Sequence, residues 1–419
     1  MPESRETADP CPGSGAGEAR DGAQPSVPGQ EARRTPWVQL RSYSFNPCLY
    51  PSMIKTASPD AKPGDLVTVY DKEGRPFGAG LYNPRARVPV RMFHHGPEPI
   101  GEDHFLSLLD RAVDLRLEVL HLPAVTEAFR VVHGQGDGLS GLVVDRYGDV
   151  LSLEVHSLGV FQRLGPWIAR LHARLGTARA VIDVDPKIAQ IEGIAVKSLA
   201  CDPLRTVRIR EHGVRYEVNF EQGHKTGFFC DQRDNRLRLA AWTQGRRVLD
   251  LCCYTGGFAL CARVLGSAAE ATGVDLDEKA VAQARANANL NQTRVEWVHG
   301  DAFVYARQMQ KNGRTWDVVV LDPPKLILSR DEEQEGLRKY EDLNLLAVSL
   351  VQAGGFFVTC SCSGLLGAEA FEQIVTRAAH RAGRRLQILD RTGAAGDHPV
   401  MSNSLEGRYL KVLWSRVIE

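Results

Sequence analysis

The 419-residue chain is 43% apolar and carries 51 Lys plus Arg against 51 Asp plus Glu, so it can fill the cores of two or three domains without any global charge to draw it to a polyanion. Nine cysteines run from Cys11 to Cys362 with no CxxC pair and no Cys/His ligand spacing, which excludes a recognisable metal centre and points to a reducing, cytoplasmic compartment. MPESRETADP has no apolar targeting segment and no run approaches a membrane span, so no membrane partner is expected.

Residues 1–36 hold six Pro, five Gly and no aromatic residue; they cannot bury enough surface to offset their ordering entropy and are expected to form a disordered tail. Residues 37–97 read as a small all-β module, short apolar runs broken by turns, with a hairpin turning at Asp71 to Gly74. Residues 37–100 hold 8 Lys plus Arg against 5 Asp plus Glu, and Arg85, Arg87, Arg91, His94 and His95 crowd together. That cluster suits an RNA-facing patch and equally a solvated strand edge kept from pairing. GEDHFLSLLDRAVDLRLEVL has helical spacing and an acidic start. It leads into a central α+β unit, to about Phe220, with a hairpin turning at Tyr147 to Asp149, an amphipathic helix over FQRLGPWIARLHARLG and further strands.

From 221 to 419 strands alternate with helices. RRVLDLCC, EATGVDLD, RVEWVHGDA, WDVVVLDPP and GGFFVTCSC are five apolar runs ending in polar or small residues, which predicts a parallel, doubly wound sheet with its ligands at the carboxyl ends of the strands. RRLQILDRTG and RYLKVLWSRVI, with no helical pattern between them, predict a terminal antiparallel pair; that feature separates a Rossmann-like class I methyltransferase sheet from a dehydrogenase one.

The first strand exits through Asp250 into a loop with Tyr254, Thr255, Gly256, Gly257 and Phe258, which has a glycine pair but no G-x-G-x-x-G. The second strand ends at Asp275, placed to accept from ribose hydroxyls, and the third at Asp301 and Ala302, in reach of an adenine amino group. Each acid alone is more often a helix N-cap than a ligand. Their succession, at spacings of 25 and 26 residues, predicts S-adenosylmethionine as cofactor.

The fourth strand ends LDPPK: Pro323 and its neighbour stiffen the exit, so Asp322 and the flanking carbonyls are held at the sheet edge to grip a planar base, with Lys325 beside them. On the fifth strand Cys360 and Cys362 share one face at successive depths. Buried cysteine is a good small hydrophobe. Beside a methyl donor, however, a thiolate has a use: carbon 5 of a cytosine attacks a methyl sulfonium only after a nucleophile adds to carbon 6. Cys362, nearer the carboxyl edge, is the expected nucleophile, with Asp322 on the ring-nitrogen edge. In EQGHKTGFFCDQRDNR, Asp231 and Asp234 can cap the following helix, whereas Lys225, Thr226 and Arg233 suggest a loop closing over a ligand or a phosphate.

QGHKTGFFCDQRDNR, LDLCCYTGGFAL, LDPPK, TCSCSG, DHPV and EGRYLK together resemble the bacterial large-subunit ribosomal RNA methyltransferases of the RlmI type, in one order from Trp37 to Glu419. The resemblance implies a PUA RNA-binding domain over 37–97, a central α+β domain over 98–220, a methyltransferase domain over 221–419, 23S rRNA as substrate, 5-methylcytosine as product and Cys362 as nucleophile. A homodimer is a candidate assembly. Two other functions are compatible with the sequence: an exocyclic N-methyltransferase acting on RNA, and a non-catalytic rRNA-binding assembly factor.

Overall fold

The computed structural model describes residues 33–195, 206–220 and 228–418. Of Met1–Arg34 only the last two residues are described; Thr35–Glu419 form one compact unit.

Six short strands, β1 (Trp37–Leu40), β2 (Cys48–Leu49), β3 (Ile54–Ala57), β4 (Leu66–Tyr70), β5 (Pro76–Tyr82) and β6 (Val90–His95), form a sheet in the order β2-β6-β5-β4-β1-β3. The expected hairpin is β4–β5. Alternate residues Val38, Leu40, Val67, Val69, Val90 and Met92 fill the core of this module. Helix α1 (Glu102–Asp114) leads to a four-stranded sheet of order β10-β9-β8-β7, from β7 (Ala128–His133), β8 (Leu142–Tyr147), β9 (Val150–Val155) and β10 (Arg179–Asp183). The expected amphipathic helix is broken into α2 (Leu158–Phe161) and α3 (Leu164–Leu175), and α4 (Pro186–Glu192) follows β10. Leu81 and Phe93 of the small module share the core of this central sheet with Phe105 and Trp167.

The hairpin β11 (Thr206–Glu211) and β12 (Val214–Asn219) is a two-stranded sheet of its own. Its apolar face, Ile209, Val214, Tyr216 and Val218, lies in the core under the large sheet that follows. By packing it goes with that sheet, and the junction expected at Phe220 falls within a continuous core.

The last part contains α5 (Arg233–Ala240), β13 (Arg247–Leu251), α6 (Gly257–Val264), β14 (Glu270–Asp275), α7 (Glu278–Leu290), β15 (Glu296–His299), α8 (Ala302–Lys311), β16 (Trp316–Leu321), α9 (Glu333–Ser349), β17 (Val351–Ser361), α10 (Ala368–Arg381), β18 (Leu386–Thr392) and β19 (Lys411–Val417). Its seven-stranded sheet runs β15-β14-β13-β16-β17-β19-β18, parallel except that β19 is antiparallel to both neighbours. Both faces are covered. Val248, Val318, Val320, Val358, Cys360 and Trp414 point to one apolar layer, and Leu249, Leu251, Val319, Leu321, Phe357 and Leu413 to the other. This is why these strands read as continuous apolar runs and not as alternating ones. The chain leaves β13 toward β14 and β15, then returns to lay β16 on the other side of β13. That reversal opens a crevice beyond the carboxyl ends of β13 and β16.

Candidate active site at the carboxyl edge of the large sheet

The loop after β13 is held in an uncommon conformation. Cys252 and Tyr254 have φ of 63° and 48°, and Gly256 has φ of 88°. Left-handed backbone at two non-glycine residues is costly and persists only where the surroundings enforce it. Asp275 does so: its Oδ2 accepts from Tyr254 N at 2.7 Å and its Oδ1 from Asp277 N at 2.9 Å. Gly256 is required sterically as well, since a Cβ there would lie 2.4 Å from the Trp297 ring. Thr255 is fixed through its carbonyl, which accepts from Asn287 Nδ2. Gly257 opens α6, and Phe258 is buried, so its side chain serves the core and only its backbone belongs to the loop.

Asp250 is wholly buried. Its Oδ2 accepts from Ala259 N at 3.0 Å, while Oδ1 has no partner among the described residues. Burial pushes its carboxyl up to about 8; the bond from Ala259 opposes the rise, and the nearby Asp322 and Asp275 add to it. A carboxyl with an orphaned oxygen, two further acids and a strained glycine loop at one crevice suit a small cationic ligand such as a sulfonium donor. Asp301 caps α8 by accepting from Val304 N at 3.0 Å, with the buried Ala302 next to it. An ionised carboxylate has acceptor capacity beyond these backbone bonds. Among the described residues no three His, Cys, Asp or Glu side chains are grouped to hold a metal.

Across the crevice, Asp322 follows β16. Its Oδ2 accepts from Gln232 Nε2 at 3.1 Å, and the same nitrogen lies 3.5 Å from Cys360 Sγ. Gln232 is itself aimed by Asn235, which donates to its Oε1 at 2.7 Å. Burial pushes the Asp322 carboxyl up to about 7 and the charge of Asp231 adds to this, against the Gln232 bond and the charge of Arg236. Pro323 is buried and Lys325 exposed.

On β17 the alternation of faces divides the segment TCSCS. Thr359 donates to Asn344 at 2.7 Å and Ser361 to the Tyr340 hydroxyl at 3.0 Å, while Tyr340 also bonds Ser363 at 2.9 Å. This polar ladder on α9 locks one face, so Cys360 and Cys362 must turn to the other. Cys360 is fully buried, and burial raises its thiol well above the ordinary range, with the Asp322 charge adding to the effect. Cys362 lies past the strand end, partly exposed, with Sγ 4.0 Å from the carbonyl of Pro323. The two cysteines therefore meet different neighbours: Asp322 touches the deeper one, and the later one stands against the proline that follows Asp322.

Two expectations are corrected. Neither Asp231 nor Asp234 caps α5, whose N-cap residue is Gln232. Asp231 instead accepts from the Tyr409 hydroxyl at 2.6 Å, and Asp234 pairs with Arg233. Arg233, expected at a phosphate, is 1% exposed, and its guanidinium grips both oxygens of Asp397 at 2.9 and 3.1 Å. A buried guanidinium saturated by a carboxylate is structural. Lys225 and Thr226 lie outside the described residues. Gln232 and Tyr409 belong to the site but were not singled out from the sequence; a buried amide has no sequence pattern of its own, although EGRYLK lay within the motifs.

Residues 189–402 match a family model described as S-adenosylmethionine-dependent methyltransferase, and residues 40–95 one described as PUA-like domain. A protein of Erwinia tasmaniensis named "Ribosomal RNA large subunit methyltransferase I" is 33% identical over 393 residues, 92% of this chain and 96% of its own. The chain belongs to this family of S-adenosylmethionine-dependent methyltransferases. The Shewanella denitrificans member of the same name is 34% identical, with 93% and 98% of the two chains covered. The fold recurs in a methyltransferase of Streptococcus mutans at a TM-score of 0.75 and 20% identity, covering 91% of this chain and 100% of that one. SMU.776, described as a methyltransferase and solved with SAH, gives 0.74 at 21% identity, with 89% and 96% covered. In this methyltransferase the expected cofactor is thus the family's own. No helix among the described residues is long and apolar enough to cross a membrane.

Proposed function

We propose that the protein methylates carbon 5 of a cytosine in large-subunit ribosomal RNA, with Cys362 as a transient covalent nucleophile. S-adenosylmethionine supplies an electrophilic methyl group. The Asp250–Phe258 loop, Asp275 and Asp301 with Ala302 are assigned to holding it. The names of the relatives support ribosomal RNA as the substrate class. The observation that carries the reading is the placement of Cys362 at the mouth of the crevice, against Pro323 and one strand from the donor loop.

In this reading the base lies between Pro323 and Cys362, with Lys325 at its phosphate. The sulfur adds to carbon 6 and electron density moves toward the ring-nitrogen edge, where Asp322 donates a proton in a hydrogen bond. On the small module Tyr43 and Phe45 are 48% and 60% exposed, and both pack against Phe77. Such faces stack well on unpaired bases. The loop that carries them is tied to the methyltransferase part, because Asn403 donates to the Phe45 carbonyl at 2.7 Å.

The test is to incubate the protein with labelled S-adenosylmethionine and rRNA from cells lacking the gene, then identify the labelled nucleoside. Label in 5-methylcytosine is expected. Label only in an N-methylated base would show an exocyclic N-methyltransferase, and donor binding without transfer to any RNA would favour an assembly factor.

A further inference from the structure

A second cavity, of about 200 Å³, shares no residue with the crevice and lies where three parts of the chain meet. Asn46 and Tyr50 come from the small module, His133 and Gly136 from the end of β7 and the turn after it, and Ser404 and Glu406 from the segment between β18 and β19. Its walls are fastened to one another. Asn46 Nδ2 donates to Glu406 Oε1 at 3.3 Å and Asn403 Nδ2 to the Phe45 carbonyl at 2.7 Å, and a Cβ at position 136 would collide with the Pro399 carbonyl oxygen, so only glycine lets those two backbones meet. The space is smaller than the roughly 300–1,000 Å³ of pockets for larger molecules and suits a single ring system.

The polar groups that line it are unspent. Arg130 Nη1 donates to His133 Nδ1 at 2.9 Å, since a guanidinium has no acceptor, so the imidazole proton sits on Nε2. Nε2 adjoins Cδ2, the ring atom that a Cβ at position 136 would approach to 3.3 Å, and it has no hydrogen-bond partner among the described residues. Burial keeps the ring neutral by pushing its pKa down to about 2, with His398, Arg130 and Arg116 adding to the effect. Glu406 is exposed and is met only by the neutral donors Asn46 at 3.3 Å and Ser404 at 3.4 Å; no cation pairs with it among the described residues. Tyr50 is 51% exposed, and its ring makes no aromatic contact among the described residues.

We infer that this cavity takes an unpaired guanine of the substrate RNA, beside the target base. This rests on RNA being the substrate, as proposed above. Guanine is the base whose Watson–Crick edge sets two donors, N1–H and the 2-amino group, next to an acceptor, O6. A carboxylate accepts from two adjacent donors at once, as it does from an arginine fork, and adenine, cytosine and uracil have no such pair. Glu406 takes the two donors, His133 Nε2–H donates to O6, and the Tyr50 ring stacks on the base. A carboxylate would repel phosphates, so its use here is toward a base; Arg408, two positions on, is exposed, makes no ion pair among the described residues and is left for the backbone. One residue further, within about 11 Å of chain from Glu406, the Tyr409 hydroxyl donates to Asp231 beside Gln232, which puts the guanine within a few nucleotides of the base in the crevice.

The experiment is fluorescence anisotropy of the full-length protein at low salt with labelled single-stranded octamers of uridine that carry one central guanosine, inosine or adenosine. The guanosine probe should bind about tenfold more tightly than the adenosine probe, with inosine, which lacks the 2-amino group, in between. Glu406→Gln keeps the shape but offers one acceptor where there were two, so the guanosine-to-adenosine ratio should fall to about two or less. The ratio is the quantity read, because removing a negative charge shifts the affinity for any RNA. Tyr50→Ala should weaken all three probes. Equal affinities in the wild type, no measurable binding of the guanosine probe, or a ratio that survives Glu406→Gln overturns the inference. The probes carry no cytosine, so a guanine preference with no methyl transfer to rRNA would sink the proposed reaction and leave the pocket standing.

Discussion

Cys360 and Cys362 lie two residues apart on one face of β17, the first sealed against Gln232 and the second partly exposed just beyond the last paired residue. Burial separates their surroundings: it holds the Cys360 thiol protonated, with the Asp322 charge adding to the effect, whereas Cys362 is partly exposed. Cys362→Ala should abolish turnover and leave donor binding unchanged. Cys360→Ala should keep most activity at a stability cost of roughly 1–2 kcal/mol, for a small cavity and one lost contact. RNA containing 5-fluorocytosine, which cannot release carbon 5, should be trapped by wild type and Cys360→Ala but not by Cys362→Ala. Adduct lost only in Cys360→Ala would move the nucleophile one turn of the pleat deeper.

A carboxyl pushed up to about 7 is protonated in a substantial fraction of molecules at neutral pH. That form suits a cytosine edge, since the carboxyl proton can go to the ring nitrogen while the other oxygen accepts from the amino group. The proton is lost as pH rises, so kcat/KM should fall above about pH 7. In Asp322→Asn the amide can still donate and accept but does not ionise, so that limb should vanish, with a rate lower by on the order of 10². An unchanged alkaline limb in the variant would assign it to another group.

The fold was legible because the large sheet is buried on both faces. Five apolar runs leading out at Asp250, Asp275, Asp301, Asp322 and Cys362 could only be parallel strands with their carboxyl ends along one edge, and they are. The loop residues at the first strand's end were legible for the same reason. The role of Arg233 was not. An arginine among polar residues reads as a phosphate ligand until the fold brings Asp397, more than 160 positions away, against it. The cluster of Arg85, Arg87 and Arg91 was ambiguous on similar grounds: Arg91 is spent on Ser140 and the His156 carbonyl, while Arg85 and Arg87 remain exposed and make no ion pair among the described residues.

That division of the arginines makes a prediction about RNA. Phosphate contacts release counterions, so each adds about 0.7–0.9 to the slope of log affinity against log salt. Replacing Arg85 and Arg87 together by Glu should weaken rRNA binding and flatten that slope, with folding and donor affinity unchanged. Deleting residues 1–34 should do neither. The cut must stop there, because the Pro36 carbonyl accepts from Thr68 N at 3.0 Å and anchors the small sheet. Filter binding across a salt series decides it, and an unaltered slope in the double variant would place the phosphate path elsewhere.

Asp397 ties three parts of the chain together. Its carboxylate takes Arg233 on both oxygens and the Arg130 amide at 2.9 Å, and its carbonyl takes the buried Arg116. The Arg116 and Arg130 guanidiniums have carboxylates of their own in Asp137 and Asp145, but among the described residues Arg233 has only the exposed Asp234 in reserve. Asp397→Asn therefore strands one buried guanidinium, and breaking such a pair costs about 3–5 kcal/mol. Burial alone would raise the Asp397 carboxyl, but His398 and Arg233 outweigh it and hold it well below the usual range. A depressed carboxyl contributes its stability above the unfolded value of about 3.9 and loses it as pH falls toward the folded one. The gap in unfolding free energy between wild type and Asp397→Asn should accordingly stay constant above about pH 5 and narrow below about pH 4, as the wild type gives up its advantage. Denaturant unfolding at several pH values reads this directly; a gap that is small at pH 7, or that widens in acid, would mean that Arg233 finds its counter-charge elsewhere.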